Sequence, residues 1–248
     1  MAFNPEEART IENIDFERAF KKAEGILTRA EIKLGDFRNL YGEEVVEHDE
    51  GYVRERERQF GVQDDRFKKI SVIFEAIFHE HAELSDWFGP NAFTIKSSRF
   101  DDLANGVDSI LEFQEGETSA SHLAMAVDVT FSADTSEKFN RLRREIEKGQ
   151  MTQVKYFHSD HMNITGRLNR VPRVVIGADT KTIEVLTEAW LEHDTKVLAN
   201  HPIQFQILEE ILHELEAFGD YAVAVGKPEV AAIYERSHAL VAKIYSER

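Results

Sequence analysis

Gly106-Val107-Asp108-Ser109-Ile110-Leu111-Glu112-Phe113 and, after a polar turn, Leu123-Ala124-Met125-Ala126-Val127-Asp128-Val129-Thr130-Phe131 decide how this 248-residue chain is read. Both stretches have strand length and composition, and each carries an aspartate. An aspartate among β-formers lowers strand propensity and, once desolvated, needs a cation, a donor or a proton beside it. Two on successive strands point to a metal. The linking Gln114-Glu115-Gly116-Glu117-Thr118-Ser119 is a polar turn, so the pair is expected to form an antiparallel hairpin or meander. Strand side chains alternate faces, which sets Asp128 with Thr130, and Asp108 with Ile110 and Glu112. If the strands pair, Asp108 and Asp128 converge on one ion. Hard oxygen ligands of this kind suit Mg2+ or Mn2+, not zinc.

Outward from this pair, period-two patterns and short apolar runs mark further strands at 92–95, 154–157 and 173–176. Phe67, Ile70, Phe74, Ile77, Phe78, His81, Leu84 and Phe88 make one apolar stripe, a helix over 65–88 that Gly89-Pro90 stops. Ser132 to Ser136 caps a helix running to Lys148 on Phe139, Leu142 and Ile146, with Gly149 as its stop. Phe16, Phe20, Ala23, Leu27, Ala30 and Leu34 predict an amphipathic helix broken at Gly35. The charged stretch 43–59 has too few apolar residues to bury well and is expected to be an exposed or mobile helix. Helices follow at 180–199, 202–218 and 229–246, the last two as a hairpin. The expected class is α/β (α+β): a small mixed central sheet flanked by helices, with a charged helical extension at 1–64, a core at 65–199 and a C-terminal helical hairpin at 200–248.

With 42% hydrophobic and 31% charged residues the chain can bury a sizeable core. The absence of cysteine excludes disulfides, thiolate zinc sites and cysteine nucleophiles, and fits a reducing cytoplasm. Residues 1–9 lack the basic start and apolar run of a signal peptide, and no apolar run reaches membrane-spanning length, so a cytoplasmic location and no membrane partner are expected. A net charge of −16 opposes non-specific adhesion to phosphate backbones. Residues 138–173 reverse that balance, with nine basic side chains against three acids. This run directly follows the second aspartate; the alternative is a solvated helix face and surface loop.

Helix, short strand, acid-bearing strand, turn, a second apolar strand ending in Asp128-Val129-Thr130, then helix and strand: this order over 65–190 resembles the PD-(D/E)XK nuclease superfamily. The motif residues are Asp108 in Gly106-Val107-Asp108, and Asp128. The resemblance implies a restriction-endonuclease-like core in which both acids hold Mg2+ or Mn2+, a glutamate on the preceding helix completes the site, and a lysine two residues after the second acid activates water. Thr130 stands where that lysine belongs, and a neutral hydroxyl does not replace an ammonium. Lys138, in the following helix, is the expected substitute, with Lys155 and Lys96 behind it; an ordinary surface lysine is the alternative. Glu80 is the expected helix acid because it borders the buried stripe, whereas Glu75 falls on a polar flank. Asp101 and Asp102 are expected turn residues before ligands, with one of them able to assist the ion. Arg141, Arg144, Lys148, Lys155, Arg167 and Arg170 would receive a nucleic-acid backbone, DNA before RNA.

The implied activity is hydrolysis of phosphodiester bonds with Asp108, Asp128 and Lys138 as catalytic residues and Asp108, Asp128 and Glu80 as metal ligands. The alternative is an inactive nuclease-like module acting through a protein partner or a homodimer by its helical extensions. His79 and His81 are two apart, unlike the four-spaced pair of zinc proteases, and His158-Ser159-Asp160-His161 lies in a polar loop. No P-loop, nucleophile elbow or dinucleotide fingerprint is present.

Overall fold

The computed structural model describes residues 15–60, 66–116, 119–129 and 134–248, the side chains of 60, 125–129 and 134–136 excepted. The acid-bearing stretches become β2 (Ser109–Gly116) and β3 (Ser119–Val129), preceded by β1 (Ala92–Lys96) and followed by β4 (Thr152–Ser159), β5 (Ile164–Val171) and β6 (Arg173–Ala178). β1, β2 and β3 form an antiparallel meander, and β6 joins β3 in parallel, giving the order β1-β2-β3-β6. A parallel neighbour needs a crossover, not a tight turn. Here the crossover contains the helix Asp134–Glu147 and the separate β4–β5 hairpin. The expected cap at Ser132–Ala133, together with Thr130, Phe131, Glu117 and Thr118, lies outside the described residues.

Both faces of the meander are covered, which explains its adjacent apolar residues. Leu111 pairs with Leu123, and with Phe113 they enter the main core beside Ile73, Phe74 and Ile77 of the helix Arg66–Leu84. Ile110 pairs with Ala124 and packs against Val154, Phe157 and Val171 of the hairpin. Glu112 is fully buried and satisfied: its carboxylate accepts from Ser159 Oγ at 2.6 Å and meets His122 Nε2 at 2.9 Å. Helix glutamates also cover the sheet's outer strands. Thr94 N–H in β1 donates to Glu83 at 2.5 Å, while Val175 and Gly177 N–H in β6 donate to Glu214 at 2.8 Å and Glu210 at 3.2 Å. Such covering removes the donors that make an edge strand a template for aggregation.

The helices are α1 (Phe16–Ala30), α2 (Arg38–Tyr41), α3 (Glu43–Phe60), α4 (Arg66–Leu84), α5 (Arg99–Asn105), α6 (Asp134–Glu147), α7 (Thr180–Leu191), α8 (Thr195–Asn200), α9 (Ile203–Ala224) and α10 (Pro228–Ser246). Ala19, Ala23, Ile26 and Leu27 of α1 share the main core with α4, the sheet and α9–α10. α3 departs from the exposed helix expected. Val46 is buried with Leu34, Phe37 and Tyr156, and buried Asp49 binds Lys155 Nζ and accepts from Tyr156 Oη at 2.8 Å. One apolar residue and one acid anchor this helix because the acid's partners lie on β4, out of reach of a periodicity count. β5 is also new; it is mostly exposed, and pairing with β4 makes it a strand. The helix expected over 180–199 breaks at His193, whose φ is 59°, and restarts where Asp194 accepts from Val197 N–H at 3.0 Å. Among the described residues no helix is long and apolar enough to cross a membrane.

Candidate functional site

The site begins with the turn that delivers Asp108 to the sheet. Ser98 caps α5, its Oγ accepting from Asp101 N–H at 3.1 Å. Asp101 is fully buried and accepts from the N–H groups of Lys155 at 2.7 Å and Tyr156 at 2.9 Å, tying α5 to β4. The expected turn residue is therefore a clamp. Gly106 ends α5 with a φ of 66°, and a Cβ there would come within 3.2 Å of Nη1 of both Arg141 and Arg173. Only glycine combines that left-handed backbone with that approach. Both guanidiniums bond carbonyls at the helix C-terminus: Arg141 Nη2 donates to Ala104 O at 2.8 Å, and Arg173 Nη1 donates to Asn105 O. Cations there complement the helix dipole. Glu145 pairs with both arginines and holds them together.

Asp108 precedes the first ladder residue of β2, Ser109, so the alternation that would align it with Ile110 and Glu112 does not reach it. It is half-buried. Burial and the charges of Asp102 and Glu75 push its carboxyl up to about 7, against the pull of Lys96 and Lys138. Lys96, the last residue of β1, donates to Asp108 O at 2.8 Å and pairs with Glu75 Oε1 at 3.0 Å. Burial works to lower the Lys96 pKa, yet Glu75, Asp102 and Asp108 hold it above the usual lysine value. Ser109, fully buried and facing Lys96 across the ladder, has a hydroxyl with no hydrogen-bond partner among the described residues. Glu75, Lys96, Arg99 and Asp102 line a cavity of about 670 Å³ whose other walls come from α1, α3 and the turn between α1 and α2. Six acids and four bases line it.

Asp128 lies in β3 opposite Gly177 of β6, on the strand next to β2; its side chain is outside those described, as is Thr130. Lys138 is in the first part of α6, half-buried, and its charge reaches Asp108. Glu80 is elsewhere: its carboxylate accepts from Trp190 Nε1–H of α7 at 2.7 Å. Glu75 takes the place beside Asp108 that the stripe suggested for Glu80. The reason is that α4 packs against α1, β1, β3 and α7, so its polar flank is itself covered. Among the described residues no group of three histidine, aspartate or glutamate side chains is arranged to hold a metal ion.

The six basic residues do not form one surface of free charge. Lys155 is bound to Asp49 and lies 5.3 Å from the Phe100 ring centroid; Arg141 serves the α5 terminus. Arg170 meets Glu229 at 3.3 Å, Arg167 stands 5.9 Å from the Tyr41 ring, and Arg144 bonds Asn140 O of its own helix. Arg144, Lys148 and Arg167 are exposed. Sequence reasoning missed Ser109 as a neighbour of Asp108, ranked Glu75 behind Glu80, and read Asp102 first as a turn residue. The available signal was the Ser98-Arg99-Phe100-Asp101 start of a short capped helix directly before Gly106. Comparison with known proteins finds no matching family model, no matching curated protein and no matching solved structure.

Proposed function

We propose that this chain is a metal-dependent nuclease that hydrolyses phosphodiester bonds, of DNA in preference to RNA, with Mg2+ or Mn2+. The observation that carries the proposal is Asp108: a crowded, half-buried carboxylate at the mouth of β2, with Glu75, Asp102 and two lysines acting on it. The sheet supports it as well. A small mixed sheet with an acid just before its middle strand, a second acid on β3, and a helix on the way to a parallel β6 is compatible with the element order on which the nuclease resemblance rests.

The donor chemistry fits a hard divalent cation: a carboxylate, Asp108, whose pKa is raised by burial and by the charges of Asp102 and Glu75, and a buried serine hydroxyl lacking a described partner. Asp108 and Asp128 would hold it, with Glu75 in the role first considered for Glu80. What the bound cation supplies is a lowered pKa for a water and neutralisation of phosphate charge. Lys96 anchors Glu75 and the Asp108 carbonyl, fixing the acids relative to each other. Lys138 contributes positive charge on the side of α6, where the missing lysine of position 130 is compensated. Purified protein is expected to cleave linear, nicked or single-stranded DNA with Mg2+ or Mn2+, and Asp108→Ala to reduce this to background. Intact substrate in every lane with either metal overturns the proposal.

The second reading is a non-catalytic module with the same fold, engaging a protein partner or a second copy through its helical extensions. Thr130 and the internal pairing of Lys155, Arg141 and Arg170 favour it. Calorimetric Mg2+ or Mn2+ binding that disappears in Asp108→Ala and Asp128→Ala decides for the nuclease. On either reading the cysteine-free chain suits a reducing cytoplasm.

A further inference from the structure

On the other side of the Asn105–Asp108 turn lies a second cavity, of about 700 Å³, between α6, the start of β4, β5 and the loop entering α10. That volume is in the range of small-molecule and cofactor sites. Its lining reverses the charge of the whole chain: Arg141, Arg170 and Lys227 against Glu145 and Glu229. Arg141 is committed to Ala104 and Glu145, whereas Lys227 makes no ion pair among the described residues. Lys227 is also the residue before α10, a helix of 19 residues with Pro228, which has no N–H, at its first position and no side-chain cap. Val230 and Ala231 N–H already donate to Lys227 O at 3.1 and 3.0 Å, so what favours an anion here is the Glu229 N–H and the positive end of the helix dipole. A second, independent sign is Thr152, which lines the same cavity, is buried to 6% exposure, and has a hydroxyl without a hydrogen-bond partner among the described residues. The remaining wall supplies the amides of Asn105, Gln150 and Gln153 and the apolar side chain of Met151. Cations, amides and one apolar side chain match a phosphate, the polar edge of a base and a base face.

We infer that this cleft binds a phosphate-bearing nucleotide unit, with Lys227 and the α10 N-terminus receiving the phosphate. Asn105 lines the cleft and stands three residues before Asp108, in the turn that Arg141 and Arg173 hold, so a strand seated in the cleft would have Asp108 as a near neighbour in the chain. The inference rests on the nuclease proposal only for the choice of a nucleotide as the ligand. Glu229, which meets Arg170 at 3.3 Å, tempers the cleft's charge.

The test is fluorescence anisotropy of a short labelled DNA oligonucleotide in EDTA, so that binding is read without cleavage, with deoxynucleoside monophosphate and inorganic phosphate as competitors. Lys227→Glu is expected to weaken binding at least tenfold and Glu229→Gln to strengthen it, while Lys181→Glu, on α7, leaves it unchanged. Competition by the monophosphate near the oligonucleotide's own dissociation constant assigns the cleft to free nucleotides; resistance to it assigns the cleft to a strand. Equal affinity of Lys227→Glu and the unaltered chain overturns the inference, even if the protein cleaves DNA. Lys227-dependent binding by a protein that never cleaves overturns the activity and leaves the cleft.

Discussion

Two lysines act on Asp108, and their surroundings separate their roles. Lys96 is buried on Glu75 and on the Asp108 carbonyl, so its ammonium is part of the fold. Lys96→Met leaves Glu75 without its counter-charge, and breaking a buried pair in this way costs about 3–5 kcal/mol. A urea titration is expected to show that loss. Lys138 is half-buried on α6, and Lys138→Ala is expected to keep the urea midpoint while abolishing cleavage. On the nuclease proposal, Thr130→Lys in that background is expected to restore part of the activity, since position 130 is where the resemblance places the lysine. Full activity in Lys138→Ala moves the catalytic charge to Lys96. The sequence pointed to Asp108 as an acid among β-formers; the structure adds that Gly106, lacking a Cβ, lets Arg141 and Arg173 approach the turn before Asp108. The sequence could not select Glu75 over Glu80, since the two differ in what other helices cover and not in periodicity.

At the level of elements, α9 completes the sheet through two carboxylates one helical turn apart. Glu214 accepts from Val175 N–H, and burial, joined by the charge of Glu210, pushes its carboxyl up to about 8. A folded-state pKa above the unfolded value adds stability that is fully present below about 4.5 and disappears as pH rises through about 8. The unaltered protein is therefore expected to lose stability across that window. Glu214→Gln keeps an acceptor for Val175 and flattens the decline; parallel urea-midpoint curves for the two proteins from pH 5 to 8 contradict the assignment. Elements with a strong apolar stripe, such as α4 and α9, were legible from spacing alone. β5 and the anchoring of α3 were not: β5 is a strand because β4 offers it a ladder, and α3, expected as an exposed helix, is held by the Asp49 bonds to Lys155 and Tyr156.

Across the whole molecule, the two cavities differ in the sign of their net lining charge: acids outnumber bases in the one lined by Glu75 and Asp102, and bases outnumber acids in the one lined by Arg141 and Lys227. Arg143, Arg144, Lys148 and Arg167 are exposed and outside ion pairs among the described residues. With Lys227 they give DNA binding an expected slope of log K on log salt of about −4.5, at about 0.9 per phosphate contact. A slope of about −8 or steeper means that Lys155, Arg141, Arg170 and Arg173 leave their partners on binding, and the paired arrangement described above is then not the bound one. The sequence by itself determined the α/β class, the antiparallel pairing of β2 with β3, and the two acids at or beside those strands, because strand pattern, polar turns and glycine stops are local properties of the chain. Which glutamate joins Asp108, which basic residues are already neutralised, and how β6 comes to lie parallel to β3 were decided only by the tertiary structure. Those outcomes depend on burial and on ion pairs between residues far apart in the chain, and no local pattern encodes them.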